Sequence, residues 1–112
     1  MKASALTTHV LDTAAGTPAA GVAVELWRDG ALVTRATTNA DGRTDAPLMD
    51  AQGFQPGRYE LRFAVGDYFR ARGQAASFLD VVALNVGLDA GQGHYHVPLL
   101  CSPWSYSTYR GS

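Results

Sequence analysis

Cysteine occurs once in the 112 residues, at Cys101, so no intrachain disulfide can form. The fold must be held by packing and backbone pairing, with or without subunit assembly. A chain of this kind suits a reducing compartment, and cytoplasmic residence is the expectation. An excess of either charge is also lacking: nine Lys and Arg against ten Asp and Glu leave a net charge of -1, and the cations are scattered along the chain. That removes the electrostatic footprint of a nucleic-acid or anionic-lipid binder and points to a small ligand. No apolar run is long enough to span a bilayer, and the opening Met1-Lys2-Ala3-Ser4-Ala5-Leu6-Thr7-Thr8-His9 has no apolar stretch of secretory-signal length. Missing too are a glycine-rich phosphate loop, a Gly-x-Ser-x-Gly nucleophile motif and paired carboxylates of the glycosidase type. Kinase, glycosidase and nucleotide-binding readings fall away with them.

What is present is a turn-rich, moderately apolar chain, with 12 glycines, 5 prolines and 46% hydrophobic residues. At this length a single domain over residues 1–112 is expected. Period-two alternation is clearest at Tyr59, Leu61, Phe63 and Val65, and Val22, Val24 and Leu26 alternate ahead of Asp29-Gly30, a favoured hairpin turn into residues 31–38. Leu6 to Leu11 reads as a first strand. Residues 81–88 and 95–100, joined by Asp89-Ala90-Gly91-Gln92-Gly93, suggest an antiparallel pair, and 106–110 a last strand after Ser102-Pro103. Seven or eight short strands at regular spacing predict an all-β antiparallel sandwich around one core. Only Asp67 to Arg72, before Gly73, reads as a short helix.

Histidine is scarce, at three residues, so each position carries weight. On a strand, His94 and His96 project to one face while Tyr95 and Val97 project to the other. Such a His-x-His pair can bind a metal, with His9 as a third ligand, but no Asp, Glu or Cys pattern completes a site, and strand histidines are often simply hydrogen-bonded or solvent-facing. No metal is assigned. Hydrolysis is the sharper option, because neutral imidazole accepts a proton from water near physiological pH, with His9 and His96 as candidates. Arg43, just beyond the Asn39-Ala40-Asp41-Gly42 turn, can polarise a carbonyl or hold an anion; the plainer reading is an exposed turn cation. Ser102, Cys101 and Ser112 are conceivable nucleophiles without a nucleophile motif, and Cys101 in its apolar run reads as a small packed hydrophobe. Trp27, Trp104, Phe63 and Tyr59 read as core or interface area.

Taken together, Leu6-Thr7-Thr8-His9-Val10-Leu11-Asp12, Asp41-Gly42-Arg43, His94-Tyr95-His96-Val97-Pro98-Leu99-Leu100 and Ser102 through the terminal Tyr109-Arg110-Gly111-Ser112 resemble the 5-hydroxyisourate hydrolases of the transthyretin-related family. The resemblance spans essentially the whole chain. Transthyretin itself shares the Ser-Pro-aromatic-Ser-Tyr-Ser-Thr stretch but lacks the histidines and the terminal tetrapeptide, so the enzyme branch is preferred to the carrier. The resemblance implies a transthyretin-like sandwich of two four-stranded sheets with one short helix, assembled as a homotetramer (a dimer of dimers) with active sites between dimers. It implies ring opening of 5-hydroxyisourate by water, with no cofactor. It also implies a catalytic set of His9, Arg43, His96 and Ser112, with Thr108, Tyr109, Arg110 and Gly111 shaping the substrate pocket. Under this resemblance His9, tuned by His96, is the expected general base. The alternative is a carrier that holds a small ligand without turning it over.

Overall fold

The structure, a computed structural model, describes residues 4–74 and 76–111. Ser112, one of the expected catalytic residues, lies outside the described residues, as does the Met1-Lys2-Ala3 start. The chain runs β1 (Ala5–Asp12), β2 (Thr17–Pro18), β3 (Ala23–Arg28), β4 (Ala31–Thr37), β5 (Gly57–Phe63), α1 (Val65–Ala71), β6 (Val82–Leu88), β7 (His94–Cys101) and β8 (Tyr106–Thr108). Two four-stranded sheets result, ordered β2-β1-β7-β8 and β4-β3-β5-β6. The expected sandwich with one short helix is what the chain forms.

Period-two patterning decides which way each strand faces. In β1 the even positions Leu6, Thr8, Val10 and Asp12 are buried, which turns Ala5, Thr7, His9 and Leu11 toward the outer face. Leu6, Val10, Val24, Leu26, Leu61, Phe63 and Leu99 meet between the sheets and are fully buried. Each such side chain contributes about 1.5–3 kcal/mol relative to exposure. The β3–β4 hairpin closes on Asp29 (φ 51°) and Gly30 (φ 78°), the two left-handed residues that a tight turn between right-twisted strands requires.

Three features differ from the sequence reading. Residues 81–88 and 95–100 do not pair: β6 lies antiparallel to β5 in one sheet, while β7 lies in the other, between β1 and β8. Their glycine-rich link crosses between sheets, with Gly91 and Gly93 at φ 77° and 78°, and local pattern cannot distinguish such a crossing from a hairpin. β1 and β7 run parallel, whereas the remaining ladders among the described residues are antiparallel. Finally, Val65 starts the helix instead of ending a strand. It is buried together with Tyr68 and Phe69, a three- and four-residue spacing that fits a helical face as well as alternation fits a strand.

The helix is fastened to the far end of β1. Tyr68 Oη donates to Asp12 Oδ2 at 2.8 Å, and Asp12 Oδ1 accepts from the Ala14 and Ala15 amides at 3.0 and 2.9 Å. Asp12 is only 3% exposed, so these bonds replace the water its carboxylate loses. Burial and this bond push the Tyr68 hydroxyl up to about 12.

Candidate active site

Parallel pairing of β1 and β7 sets Thr7 beside His96 and His9 beside Pro98 on the outer face of the first sheet. His94, His96, Thr7 and His9 thus share one surface because two strands with the same in-out phase lie side by side. Arg43 reaches it by another route. The Asn39 side chain accepts from the Asp41 and Arg43 amides at 2.9 and 3.2 Å and donates to Asp45 at 2.9 Å, which shapes the turn. The following segment then runs along the free edge of β1, where the Val10 amide bonds Gly42 O at 2.7 Å and the Leu6 amide bonds Met49 O at 2.8 Å. An antiparallel bridge sets Arg43 opposite His9.

Gly42 makes that docking possible. Its φ of 76° lies in the left-handed region, and a Cβ there would collide with the Val10 carbonyl oxygen and come within 3.2 Å of Pro18 Cβ. Only a residue without a side chain lets the turn lie against β1.

The result is a cleft of about 330 Å³ lined by Thr7, Thr8, Arg43, Thr44, His94 and His96. The ring centroids of His9 and His96 are 6.4 Å apart, and those of His94 and His96 are 6.2 Å apart. His96 is half-buried. Burial first, then the positive charge of Arg43 and the neighbouring His94 and His9, hold its pKa below the usual imidazole value. That shift favours the neutral imidazole, the state in which a ring nitrogen accepts a proton. The Thr7 hydroxyl sits between the two β7 imidazoles, 2.8 Å from His96 Nδ1 and 2.6 Å from His94 Nε2.

Three of the four residues expected to be catalytic therefore converge. The tail divides. The Gly111 amide donates to His96 O at 2.6 Å, and a Cβ on Gly111 would lie 2.9 Å from His96 Cδ2, so Gly111 packs directly on that imidazole. Thr108, Tyr109 and Arg110 face a separate groove of about 290 Å³ with Leu88 and Tyr95. Arg110 stacks on the Tyr95 ring at 4.4 Å and donates to Gln92 O at 2.9 Å; Thr108 donates to Pro98 O at 2.7 Å. These three do not line the histidine cleft.

Thr7 and Thr44 are cleft residues that the sequence reading passed over. Thr7 was findable, since it lies two residues before His9 on the same strand face. Cys101 is buried against the core, and burial together with Asp12 pushes its thiol up to about 12. That is a packed side chain, as expected, not a nucleophile. Tyr59 and Phe63 are core residues, whereas Trp104 is 63% exposed and Trp27 lies under the Arg62 guanidinium at 4.3 Å.

The chain is similar to known proteins over nearly its whole length. A curated 5-hydroxyisourate hydrolase of Deinococcus radiodurans is 58% identical over 113 residues, covering 96% of this chain and 95% of its own length. The solved structure of Klebsiella pneumoniae 5-hydroxyisourate hydrolase matches with a TM-score of 0.87 at 39% identity, covering 97% of this chain and 99% of that one. Sea bream transthyretin in complex with thyroxine matches with a TM-score of 0.85 at 30% identity, covering 95% and 93%. The family model described as HIUase/Transthyretin family matches residues 6–111, and the chain belongs to that family.

Proposed function

We propose that the chain is a 5-hydroxyisourate hydrolase, opening the ring of that intermediate of urate breakdown to 2-oxo-4-hydroxy-4-carboxy-5-ureidoimidazoline. The observation that carries the reading is the convergence of His9, Arg43 and His96, distant in sequence, on one face of the first sheet, with Arg43 and His96 lining its cleft and the His9 ring 6.4 Å from that of His96, in a chain 58% identical to a protein of that name. Water attacks a ring carbonyl, an imidazole takes its proton, and the carbonyl oxygen gains negative charge. The tetrahedral adduct then collapses with cleavage of the C–N bond, and the proton passes to the departing nitrogen. We assign the base to His96 ahead of His9, because its surroundings hold it neutral and Thr7 fixes its ring. Arg43 binds the developing oxyanion. His9, opposite Arg43, orients substrate, and Ser112 is retained in the set as a substrate hydrogen-bonding group. Bond making and breaking here transfer no electrons, so the reading includes no cofactor.

The homotetramer, a dimer of dimers with sites between dimers, belongs to the same proposal. It is supported by the open side of the cleft and by the apolar Tyr106 and Tyr109, exposed at the β8 edge of the first sheet. Thr108, Tyr109, Arg110 and Gly111 then shape the pocket in the assembly. Cytoplasmic residence is proposed on the single reduced cysteine; no helix among the described residues is long and apolar enough to cross a membrane.

The test generates 5-hydroxyisourate from urate with urate oxidase and follows its ultraviolet decay with and without the protein. Catalytic acceleration at protein concentrations far below substrate is expected. Saturable binding without acceleration would instead make the chain a carrier.

A further inference from the structure

We propose that Thr7 is a positioning residue for His96 and the centre of a proton relay that leads from this imidazole to His94 at the solvent-exposed start of β7. The inference rests on the hydrolase reading. A threonine hydroxyl has one proton to give and lone pairs to accept with, and here it has an imidazole nitrogen on each side, at 2.8 and 2.6 Å. It can donate to only one ring at a time, and when it does so the other ring's N–H can donate to it. When Thr7 donates to His94 Nε2 and accepts from His96 Nδ1–H, the His96 Nε2 lone pair is bare, which is the basic form that water attack needs. When the hydroxyl turns over, it donates to His96 Nδ1, and His96 then carries its proton on Nε2, the acidic form that a departing nitrogen needs. Gain of a proton at His96 Nε2 and loss of the Nδ1 proton to Thr7 convert one tautomer into the other, and the Thr7 hydroxyl turns over with that shift.

The protons balance at each step. His96 Nε2 takes a proton from the attacking water as the O–C bond forms. The Nδ1 proton moves to Thr7 Oγ1 while the Thr7 proton moves to His94 Nε2, leaving His96 neutral and His94 positive. Cleavage of the C–N bond draws the Nε2 proton to nitrogen as the reverse shift carries a proton from His94 Nε2 to Thr7 and the Thr7 proton to His96 Nδ1, so His96 stays neutral and the resting state returns.

The gain is electrostatic. The groups facing His96 are Arg43 from the β4–β5 connection, His9 from β1 and His94 from its own strand, and all of them oppose a positive charge on a half-buried ring. His94 is exposed, where water solvates the charge better.

The test uses the full chain with Thr7→Val, which keeps the side-chain shape, Thr7→Ser, which keeps the hydroxyl, and His94→Asn. Thr7→Val should lower kcat about 10- to 100-fold with KM within about twofold, and Thr7→Ser should restore kcat to within about threefold of the parent. His94→Asn should lower kcat similarly and be partly rescued by added imidazole. A second readout is independent of turnover: in nitrogen-15 spectra of the parent, the His96 ring signals should shift as His94 titrates, and Thr7→Val should abolish that coupling. Parent-like kcat in Thr7→Val, or independent titration of the two rings in the parent, would overturn the relay. Failure of the parent to accelerate 5-hydroxyisourate decay would overturn the hydrolase reading, with the spectra still deciding whether the relay exists.

Discussion

Gly42→Ala should damage both stability and activity, and Gly16→Ala supplies its matched control. Both glycines have left-handed φ values, 76° and 73°, so each alanine carries the backbone strain of about 1–2 kcal/mol that an L side chain incurs there. They differ in surroundings. A Cβ on Gly16 meets nothing within 4 Å, whereas one on Gly42 collides with the Val10 carbonyl and crowds Pro18 Cβ at 3.2 Å and the Ala19 amide at 3.3 Å. The Val10 carbonyl already accepts from Ala19, and the Val10 amide already donates to Gly42 O, so the strand cannot withdraw without loosening those bonds. Overpacking of this kind typically costs about 1–3 kcal/mol, and a weakened hydrogen bond about 1 kcal/mol more. Gly42→Ala should therefore be less stable than Gly16→Ala by about 2–4 kcal/mol. It should also lose kcat/KM, because Arg43 follows Gly42 and moves away from His9 with it. Urea unfolding at one fixed protomer concentration, paired with initial rates on 5-hydroxyisourate, reads both effects. If the two variants matched in unfolding midpoint and rate, the close docking of this turn would not be what sets Arg43 in place.

Other consequences can be measured on the same preparations. The acid limb of kcat/KM should have its midpoint below about 6.5, since His96 must lose its proton to act and its folded pKa is depressed; a midpoint above that value would remove His96 as the base. For the same reason the unfolded chain binds the His96 proton more readily than the folded one, so the linked stability is complete above about pH 6.5 and falls as pH drops through the depressed folded value. Urea midpoints measured across that range should flatten in His96→Asn. Tyr68→Phe should destabilise by about 1–3 kcal/mol through the partner it removes from buried Asp12, while kcat stays near the parent because the helix lies away from the cleft. Cys101 should resist thiol reagents at pH 8 until the chain unfolds, and rapid labelling of the native protein would contradict its burial.

Local patterning made much of this fold legible. β1, the Asp29-Gly30 hairpin and β5 each announce themselves through alternation or turn chemistry that acts over a few residues. The partners of β6 and β7 were not legible, because which sheet a strand joins is decided by packing across the core and not by the strand itself. The two-residue β2 is too short to leave a pattern. The site divides along the same line. His9, Arg43 and His96 were nameable by resemblance, and the structure shows the physical means of their meeting: a parallel β1–β7 pair and a glycine that lets a turn dock. Nothing in the spacing reveals that one hydroxyl serves two imidazoles, since Thr7 and His96 are 89 residues apart. The turning of Arg110 onto Tyr95 is likewise a tertiary choice.

The most direct measurement is the initial rate of 5-hydroxyisourate ring opening by the parent and by His96→Ala, at saturating substrate and again far below KM. With His96 as the general base of this cleft, kcat should fall about 100- to 10,000-fold while KM changes little. A variant that turns over at the parent rate, or one that loses only affinity, would contradict the assignment of catalysis to this imidazole.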